Sequence, residues 1–246
     1  MFLTSAGTLT AGGSGSISVT GLGGANAGIG NHGIISYANL TTSTGSLTLN
    51  GTGVGTGASS MNRGIQLIGN VVLRTTTGAM TLIGTGGVGV NSEAFYFNDA
   101  GLNTLGAVGQ SGDIILRGNS FAFGAGNVGV ITSGSLTIEP TGASFTAALS
   151  TQKFTLPALL ASATLGKAGN TADITVANAM ATSGAITITG GAVALSGALS
   201  STGGDIGITS TALTGASGIT IPATKTLTIT QSGTSTYDGA ISGAGS

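Results

Sequence analysis

The segment GSLTLNGTG, residues 45–53, shows the pattern on which this chain is built. Leu47 and Leu49 alternate with Thr48, so an extended strand would turn both leucines to one face and the threonine to the other. A single strand of this kind cannot cover its own apolar face. It therefore needs similar strands stacked against it, and the rest of the chain supplies them.

Eight further segments repeat this pattern, and the first aliphatic residues of the nine copies are Ile17, Leu47, Met80, Ile114, Leu136, Ile174, Ile186, Ile206 and Leu227. Subtraction of neighbouring positions gives spacings of 30, 33, 34, 22, 38, 12, 20 and 21 residues. Most of these equal one coil of a solenoid, in which parallel strands about 4.8 Å apart share one apolar core. The spacing of 12 is too short for a coil, which predicts that Ile174 lies on a different face from Ile186.

The composition favours a repeat fold over an ordinary globular domain. Glycine accounts for 47 of 246 residues and charged residues for 5%, against about 7% and 25% in typical globular chains. Disordered chains are usually poor in apolar residues, but this chain is 40% hydrophobic with a mean hydropathy of +0.47. The sequence therefore predicts an all-β protein, a parallel (right-handed) β-helix or β-solenoid.

We expect residues 1–246 to form a single solenoid segment. Each long repeat holds more than one strand, because GIQLI and VVLRT, residues 64–68 and 71–75, follow the strand of the second repeat. The pattern becomes irregular around residues 141–171, where an insertion is expected. Apolar residues such as Phe145 and Leu156 have helix-like spacing there, but Pro157 interrupts it, so a short helix or a loop bulging from one coil is predicted.

Charge and composition exclude several classes of partner. The net charge is −1 and the six lysines and arginines are scattered, so no basic patch for nucleic acid or an anionic membrane is expected. Without cysteine, the chain has neither disulfides nor a cysteine zinc site. No apolar run approaches the roughly 18 residues of a membrane span. The first residues do not resemble a secretion signal, so we expect a chain that stays inside the cell or a piece of a longer protein.

The strand repeats resemble those of large bacterial surface proteins, the filamentous-haemagglutinin-like exoproteins and the autotransporter passengers. The resemblance is carried by GSLTLNGTGVGTG and GAMTLIGTGGVGV, from residues 45 and 78, and most closely by KTLTITQSGTSTYDGAISGAG, residues 225–245. In the last segment Thr236 and Tyr237 precede the run GAISG, an order similar to the passenger-associated repeat of autotransporters.

This resemblance implies a non-enzymatic stalk or adhesin segment of a secreted bacterial surface protein. The secretion signal and the outer-membrane translocator of such a protein would lie outside this chain, which would be an internal fragment. Implied partners are glycans or proteins on the surface of a host or neighbouring cell. No cofactor is implied.

Residues suited to catalysis are few and dispersed. His32, the one histidine, has no acidic residue in its own repeat and is expected to be a turn residue. The closest acidic residues are Glu93 and Asp99, whereas polysaccharide-processing β-helix enzymes, the main alternative, need clustered carboxylates. GTGGVG, residues 84–89, matches a dinucleotide fingerprint, but no helix pattern follows it. We therefore expect no catalytic, cofactor-binding or metal-binding residues, and acidic side chains without strongly coupled partners.

The outward positions of the repeats suggest one candidate binding surface. The middle position of the pattern is threonine in six copies. These threonines are predicted to form a ladder, which contains Thr48, Thr81, Thr137, Thr175, Thr187 and Thr228. Such a ladder of hydroxyl and methyl groups could bind ice or a glycan, although β-branched residues also simply suit strands. Asp113, Asp173 and Asp205 precede the first aliphatic residue, where Ser46 and Ser135 stand in other copies, and are interpreted as strand-start residues.

Two structural expectations follow from the alternation. The apolar positions should point inward; they are Leu47, Leu49, Met80, Leu82, Ile114, Leu116, Leu136, Ile138, Ile186, Ile188, Ile206, Ile208, Leu227 and Ile229. The strand from Leu227 to Ile229 should present an uncovered edge, because no polar cap follows it before Ser246. Uncovered solenoid ends favour association, so end-to-end self-association is expected.

Overall fold

The computed structural model describes residues 1–4, 7–98 and 101–245, and within them the chain forms strands and no helix. The strands are β1 (Phe2–Leu3), β2 (Thr8–Ala11), β3 (Ile17–Leu22), β4 (Ile34–Ser36), β5 (Asn39–Thr42), β6 (Leu47–Thr52), β7 (Ile65–Ile68), β8 (Val72–Arg74), β9 (Met80–Thr85), β10 (Phe95–Asn98), β11 (Leu102–Gly106), β12 (Ile114–Arg117), β13 (Phe121–Phe123), β14 (Asn127–Ile131), β15 (Leu136–Glu139), β16 (Leu149–Ser150), β17 (Phe154–Thr155), β18 (Ala163–Leu165), β19 (Ile174–Val176), β20 (Met180–Thr182), β21 (Ile186–Thr189), β22 (Ala192–Leu195), β23 (Leu199–Ser201), β24 (Ile206–Ser210), β25 (Ala212–Gly215), β26 (Ile219–Ile221), β27 (Leu227–Gln231), β28 (Thr236–Tyr237) and β29 (Ile241–Gly243).

The strands form five parallel sheets in which every third strand along the chain is a neighbour. Sheet I contains β1-β4-β7-β10-β13, and sheet II contains β2-β5-β8-β11-β14-β17. Sheet III has nine strands, β3-β6-β9-β12-β15-β18-β21-β24-β27. Sheets IV and V contain β16-β19-β22-β25-β28 and β20-β23-β26-β29. The fold is therefore a parallel β-helix, as the sequence predicts.

Each coil of the solenoid contributes one strand to each of three faces. The chain passes through sheets I, II and III in turn up to β15. After β15 sheet IV takes the place of sheet I, and after β17 sheet V takes the place of sheet II, while sheet III continues. Ile174 lies in sheet IV and Ile186 in sheet III, which confirms that their short spacing reflects two faces.

The apolar positions of the repeats point inward as expected. Each strand of sheet III has two inward residues. From β6, with Leu47 and Leu49, to β24, with Ile206 and Ile208, all of them are at most 1% exposed. Leu227 and Ile229, in β27, are partly buried against the same core. Full burial of one such side chain stabilises the fold by about 1.5–3 kcal/mol, and each coil adds several of them.

A column of glycines runs along the corner that leads into sheet III. The glycine that opens each repeat stacks on its equivalent in the previous coil; the column contains Gly15, Gly45, Gly78, Gly112 and Gly134, and later Gly184 and Gly204. A Cβ atom on Gly45 would overlap the carbonyl oxygen of Gly15, and one on Gly78 would overlap that of Gly45. The neighbouring atoms are backbone, so a Cβ at Gly45 or Gly78 would require the coils to shift; Ala161 takes the equivalent position in the coil between Gly134 and Gly184.

Buried hydroxyls complete the same corner from inside. Thr42 Oγ1 donates to the carbonyl oxygen of Gly45 at 2.7 Å, and Thr182 Oγ1 donates to that of Gly184 at 2.6 Å. Thr75 and Gly78 form the same contact at 2.5 Å. These hydroxyls satisfy carbonyl groups that the tight corner would otherwise leave without a partner in the core.

Segment 141–171 does not contain the predicted helix. It contains the short strands β16, β17 and β18, which belong to sheets IV, II and III. Its side chains fill the interior where sheet I gives way to sheet IV: Phe145 packs against Phe121 with ring centroids 6.2 Å apart, and Phe154 packs edge-on against Phe123 at 5.4 Å. The helix-like spacing was misleading because Phe145 faces the core from the loop between β15 and β16, whereas Leu149 does so from β16.

The two ends of the described solenoid have free strand edges. In sheet III, β3 pairs only with β6 and β27 only with β24. Phe2 and Leu9 are about half exposed at one end, and Ile241 is about half exposed at the other. Ser246 lies outside the described residues.

The glycine column generates a stability prediction. We expect Gly45→Ala to lower the free energy of unfolding by roughly 1–3 kcal/mol, because the added Cβ must push two coils apart. Gly207→Ala is the matched control, since a Cβ at Gly207, also in sheet III, meets no atom within 4 Å. It should raise stability by roughly 0.5–1 kcal/mol. Thermal unfolding of both variants measures this, and equal effects would contradict the role of the column.

Candidate functional site

The predicted threonine ladder is largely present on sheet III. Its outward column contains, in register, Ser18, Thr48, Thr81, Ile115, Thr137, Thr164, Thr187, Gly207 and Thr228. Five of the six predicted threonines thus share one column. Ile115 and Gly207 interrupt it, as expected from the sequence.

The sixth threonine was assigned to the wrong column. Thr175 lies in sheet IV, between Ser150 and Ala194, and does not belong to the ladder. Thr164 takes its place in sheet III, between Thr137 and Thr187. The short spacing before Ile186 already predicts another face for the Ile174 strand, whereas Thr164 is hidden because β18 has alanine, Ala163, where the other copies have a larger aliphatic residue.

The strand-start aspartates connect successive coils. Asp113 Oδ1 accepts a hydrogen bond from the backbone N–H of Ser135 at 2.8 Å, and Asp205 Oδ1 accepts one from that of Thr226 at 2.9 Å. Ser16 Oγ does the same for Ser46 at 3.0 Å. This explains why serine and aspartate alternate at this position, since either side-chain oxygen can accept from the next coil.

Asp173 plays the same part on another face, where its Oδ1 accepts from the N–H of Ala192 at 2.7 Å. Asp99 lies outside the described residues. Among the described residues no group of three His, Cys, Asp or Glu side chains is arranged to hold a metal ion.

One cluster of charged groups was not predicted. His32, Arg63 and Glu93 occupy equivalent positions in three successive turns between sheets III and I. The backbone hydrogen bonds show this equivalence: Gly33 N–H donates to the Arg63 carbonyl, and Gly64 N–H donates to the Glu93 carbonyl. The turns share their conformation, with positive φ at Gly30, Met61 and Asn91. The sequence hides this cluster because its members are about 30 residues apart, in turns that carry no strand pattern.

Arg63 is the centre of this cluster and is 9% exposed. Its Nε lies 3.3 Å from Glu93 Oε2, and its Nη1 donates to Gln66 Oε1 at 3.2 Å. The guanidinium carbon lies 3.6 Å from the centroid of the Tyr96 ring. A buried guanidinium requires such partners, since an unpaired buried charge is strongly destabilising. Arg63 therefore joins its own coil to the next one.

The expectation that acidic side chains lack coupled partners is wrong for two residues. Glu93 pairs with Arg63, and Glu139 Oε1 lies 2.5 Å from Arg117 Nε. Arg117 is in β12 and Glu139 in the neighbouring β15, so this pair also joins two coils. The carboxylates pair between coils because equivalent positions lie about 4.8 Å apart in a parallel solenoid.

His32 is half-buried beside this cluster. Burial, and then the positive charges of Arg63 and the N-terminal ammonium, lower the pKa of His32 below its usual value of 6.5. Its Nδ1 atom is buried and has no hydrogen-bond partner among the described residues. The imidazole is therefore held neutral, and its protonation would place a second positive charge next to Arg63.

Comparisons with known proteins give no match: no family model, no curated protein and no solved structure matches this chain. The described residues include no helix long and apolar enough to cross a membrane.

The environment of His32 generates a pH prediction. Because the folded-state pKa lies below that of the unfolded chain, the unfolded state binds more protons below about pH 6.5, and stability falls as the pH is lowered through that range. Thermal unfolding of the wild type at pH 7.5 and pH 5 should show a larger loss than that of His32→Gln, which cannot titrate. Equal losses in the two proteins would contradict this assignment.

Proposed function

We propose that this chain is a non-enzymatic, rigid segment of a secreted bacterial surface protein, a stalk or adhesin that holds and presents a surface. The observation that carries the proposal is the nine-strand sheet III, which continues in register from Ile17 to Gln231 while the other faces change. A β-solenoid of this kind is extended along one axis and supports a long exposed face.

The charged groups support a structural role over a catalytic one. Asp113, Asp173 and Asp205 each accept a hydrogen bond from the backbone of the next coil. Arg63 with Glu93, and Arg117 with Glu139, join neighbouring coils as ion pairs. Hydrolases and lyases of this architecture need carboxylates that face a substrate together, whereas these carboxylates serve the stacking of the chain on itself.

The exposed face also suits presentation of a surface. The outward column of sheet III carries mainly threonine, with half-exposed or exposed side chains such as Thr48, Thr137 and Thr187. β-branched hydroxyl residues form a flat, uncharged surface that is compatible with neutral partners such as glycans or with other proteins. This supports glycans or proteins of a host or neighbouring cell as partners.

Protease treatment of intact source cells tests the location. We expect the segment to be accessible from outside, so that external protease removes it while a cytoplasmic marker protein remains intact. Antibody labelling of intact cells should agree. Protection in intact cells together with digestion after lysis would overturn the surface assignment.

We also propose that the solenoid associates end to end. The free edge of β27 carries Leu227 and Ile229 at the positions where β3 carries Ile17 and Val19, so a second copy can continue sheet III with its apolar faces in register. Such head-to-tail contacts produce open filaments.

Concentration-dependent light scattering tests this association. We expect Ile229→Lys, which places a charge in the apolar end face, to abolish it. Thr228→Lys is the matched control, because Thr228 points to the exposed side of the same strand, and it should leave the association intact. A wild-type chain that is monomeric at every concentration would contradict the proposal.

A further inference from the structure

A groove lies beside the corner between sheets III and IV, in the coils that follow β18. The turn 166–173 is long, whereas the next corners, at 190–191 and at Thr211, are short. The long turn therefore overhangs the short ones and leaves a groove with a volume of about 250 Å³.

Equivalent residues of successive coils line this groove. Thr189 pairs in register with Thr209, and Thr209 with Thr230, so the three threonines repeat at the spacing of the strands, about 4.8 Å. This column is separate from the one that contains Thr187 and Thr228. The lining has no charged residue, so its chemistry consists of hydroxyl, amide and methyl groups.

One buried hydroxyl next to the groove lacks a partner. Ser210 lines the groove and is 5% exposed, and its Oγ has no hydrogen-bond partner among the described residues. An unsatisfied buried hydroxyl costs about 1–3 kcal/mol. Comparable buried hydroxyls, such as those of Thr182 and Ser201, donate to the carbonyl of Gly184. Ser210 is thus an exception, and because it continues the inward alternation of Ile206 and Ile208 in β24, its hydroxyl faces the core and leaves ligand contacts to the outward threonines.

We propose that this groove binds a neutral, linear oligosaccharide that lies along the solenoid axis. Sugar hydroxyls both donate and accept, which matches the threonine and serine hydroxyls, and the threonine methyl groups can pack on the apolar face of a sugar ring. The absence of charge from the lining favours uncharged over acidic sugars, because a carboxylate or sulfate would lose its hydration without an opposite charge. This inference rests on the proposed adhesin role and specifies its ligand class.

The open shape of the groove sets the expected affinity. Its volume lies below the 300–1,000 Å³ or so that is typical of enclosed ligand pockets, so one chain should bind with a dissociation constant of about 1 mM. End-to-end association of copies would place several grooves on one filament and raise the avidity.

Chemical-shift titration of the full chain with maltohexaose, cellohexaose and mannohexaose, each up to about 10 mM, tests the proposal. We expect at least one probe to shift the amide signals of Thr189, Ser210 and Thr230. A sulfated heparin hexasaccharide should not shift them. Thr209→Val keeps the β-branched shape and removes one hydroxyl, and it should weaken binding roughly five- to tenfold.

Two further variants complete the design. Ser210→Ala removes the unpaired hydroxyl on the core side, so it should leave binding unchanged and the melting temperature unchanged or higher. Thr48→Val, in the other threonine column of sheet III, is the matched control and should leave binding unchanged.

The proposal is overturned if none of the three neutral probes shifts these signals, or if Thr209→Val and Thr48→Val affect binding equally. Binding by the purified chain is independent of where the cell places it. If the titration shows no binding but external protease still digests the segment on intact cells, only the ligand assignment is wrong. If the chain binds the oligosaccharide but is protected in intact cells, only the surface assignment is wrong.

Discussion

The distance between successive coils at the corner leading into sheet III is the constraint on which the structure depends. Backbone hydrogen bonds between parallel strands require a separation of about 4.8 Å, and at this corner the carbonyl of one coil lies against the Cα of the next. Gly45 and Gly78 allow that approach because they have no Cβ. With the corner closed, the aliphatic pairs of each coil meet those of the next and form one core.

The polar residues serve the same stacking. Side-chain oxygens of Ser16, Asp113 and Asp205 accept backbone N–H groups of the following coil, and the ion pairs of Arg63 and Arg117 each join two coils. In a solenoid every residue has an equivalent one coil away, so a side chain that bonds across this gap stabilises a nearest-neighbour interface. A chain with 5% charged residues thus uses many of them to join coils, and the charges that remain on its surface are few and scattered.

The change of sheets accompanies a change in coil length that positions the candidate groove. Phenylalanines, among them Phe121, Phe145 and Phe154, fill the interior where sheet I gives way to sheet IV. The coil that completes this transition carries the long turn 166–173, and the following coils are shorter. The step between long and short coils creates a concave site beside sheet III.

The sequence by itself determined the parallel β-helix, the inward direction of residues such as Leu49 and Ile188, and the separate face of Ile174. These depend on local alternation and repeat length, which can be read along the chain. Only the tertiary structure decided that Thr164 takes a place in the threonine column, that residues 141–171 contain three short strands, and that His32, Arg63 and Glu93 come together. These features depend on which residues are stacked one coil apart, and unequal coil lengths leave that register unspecified until strands pair and the core packs.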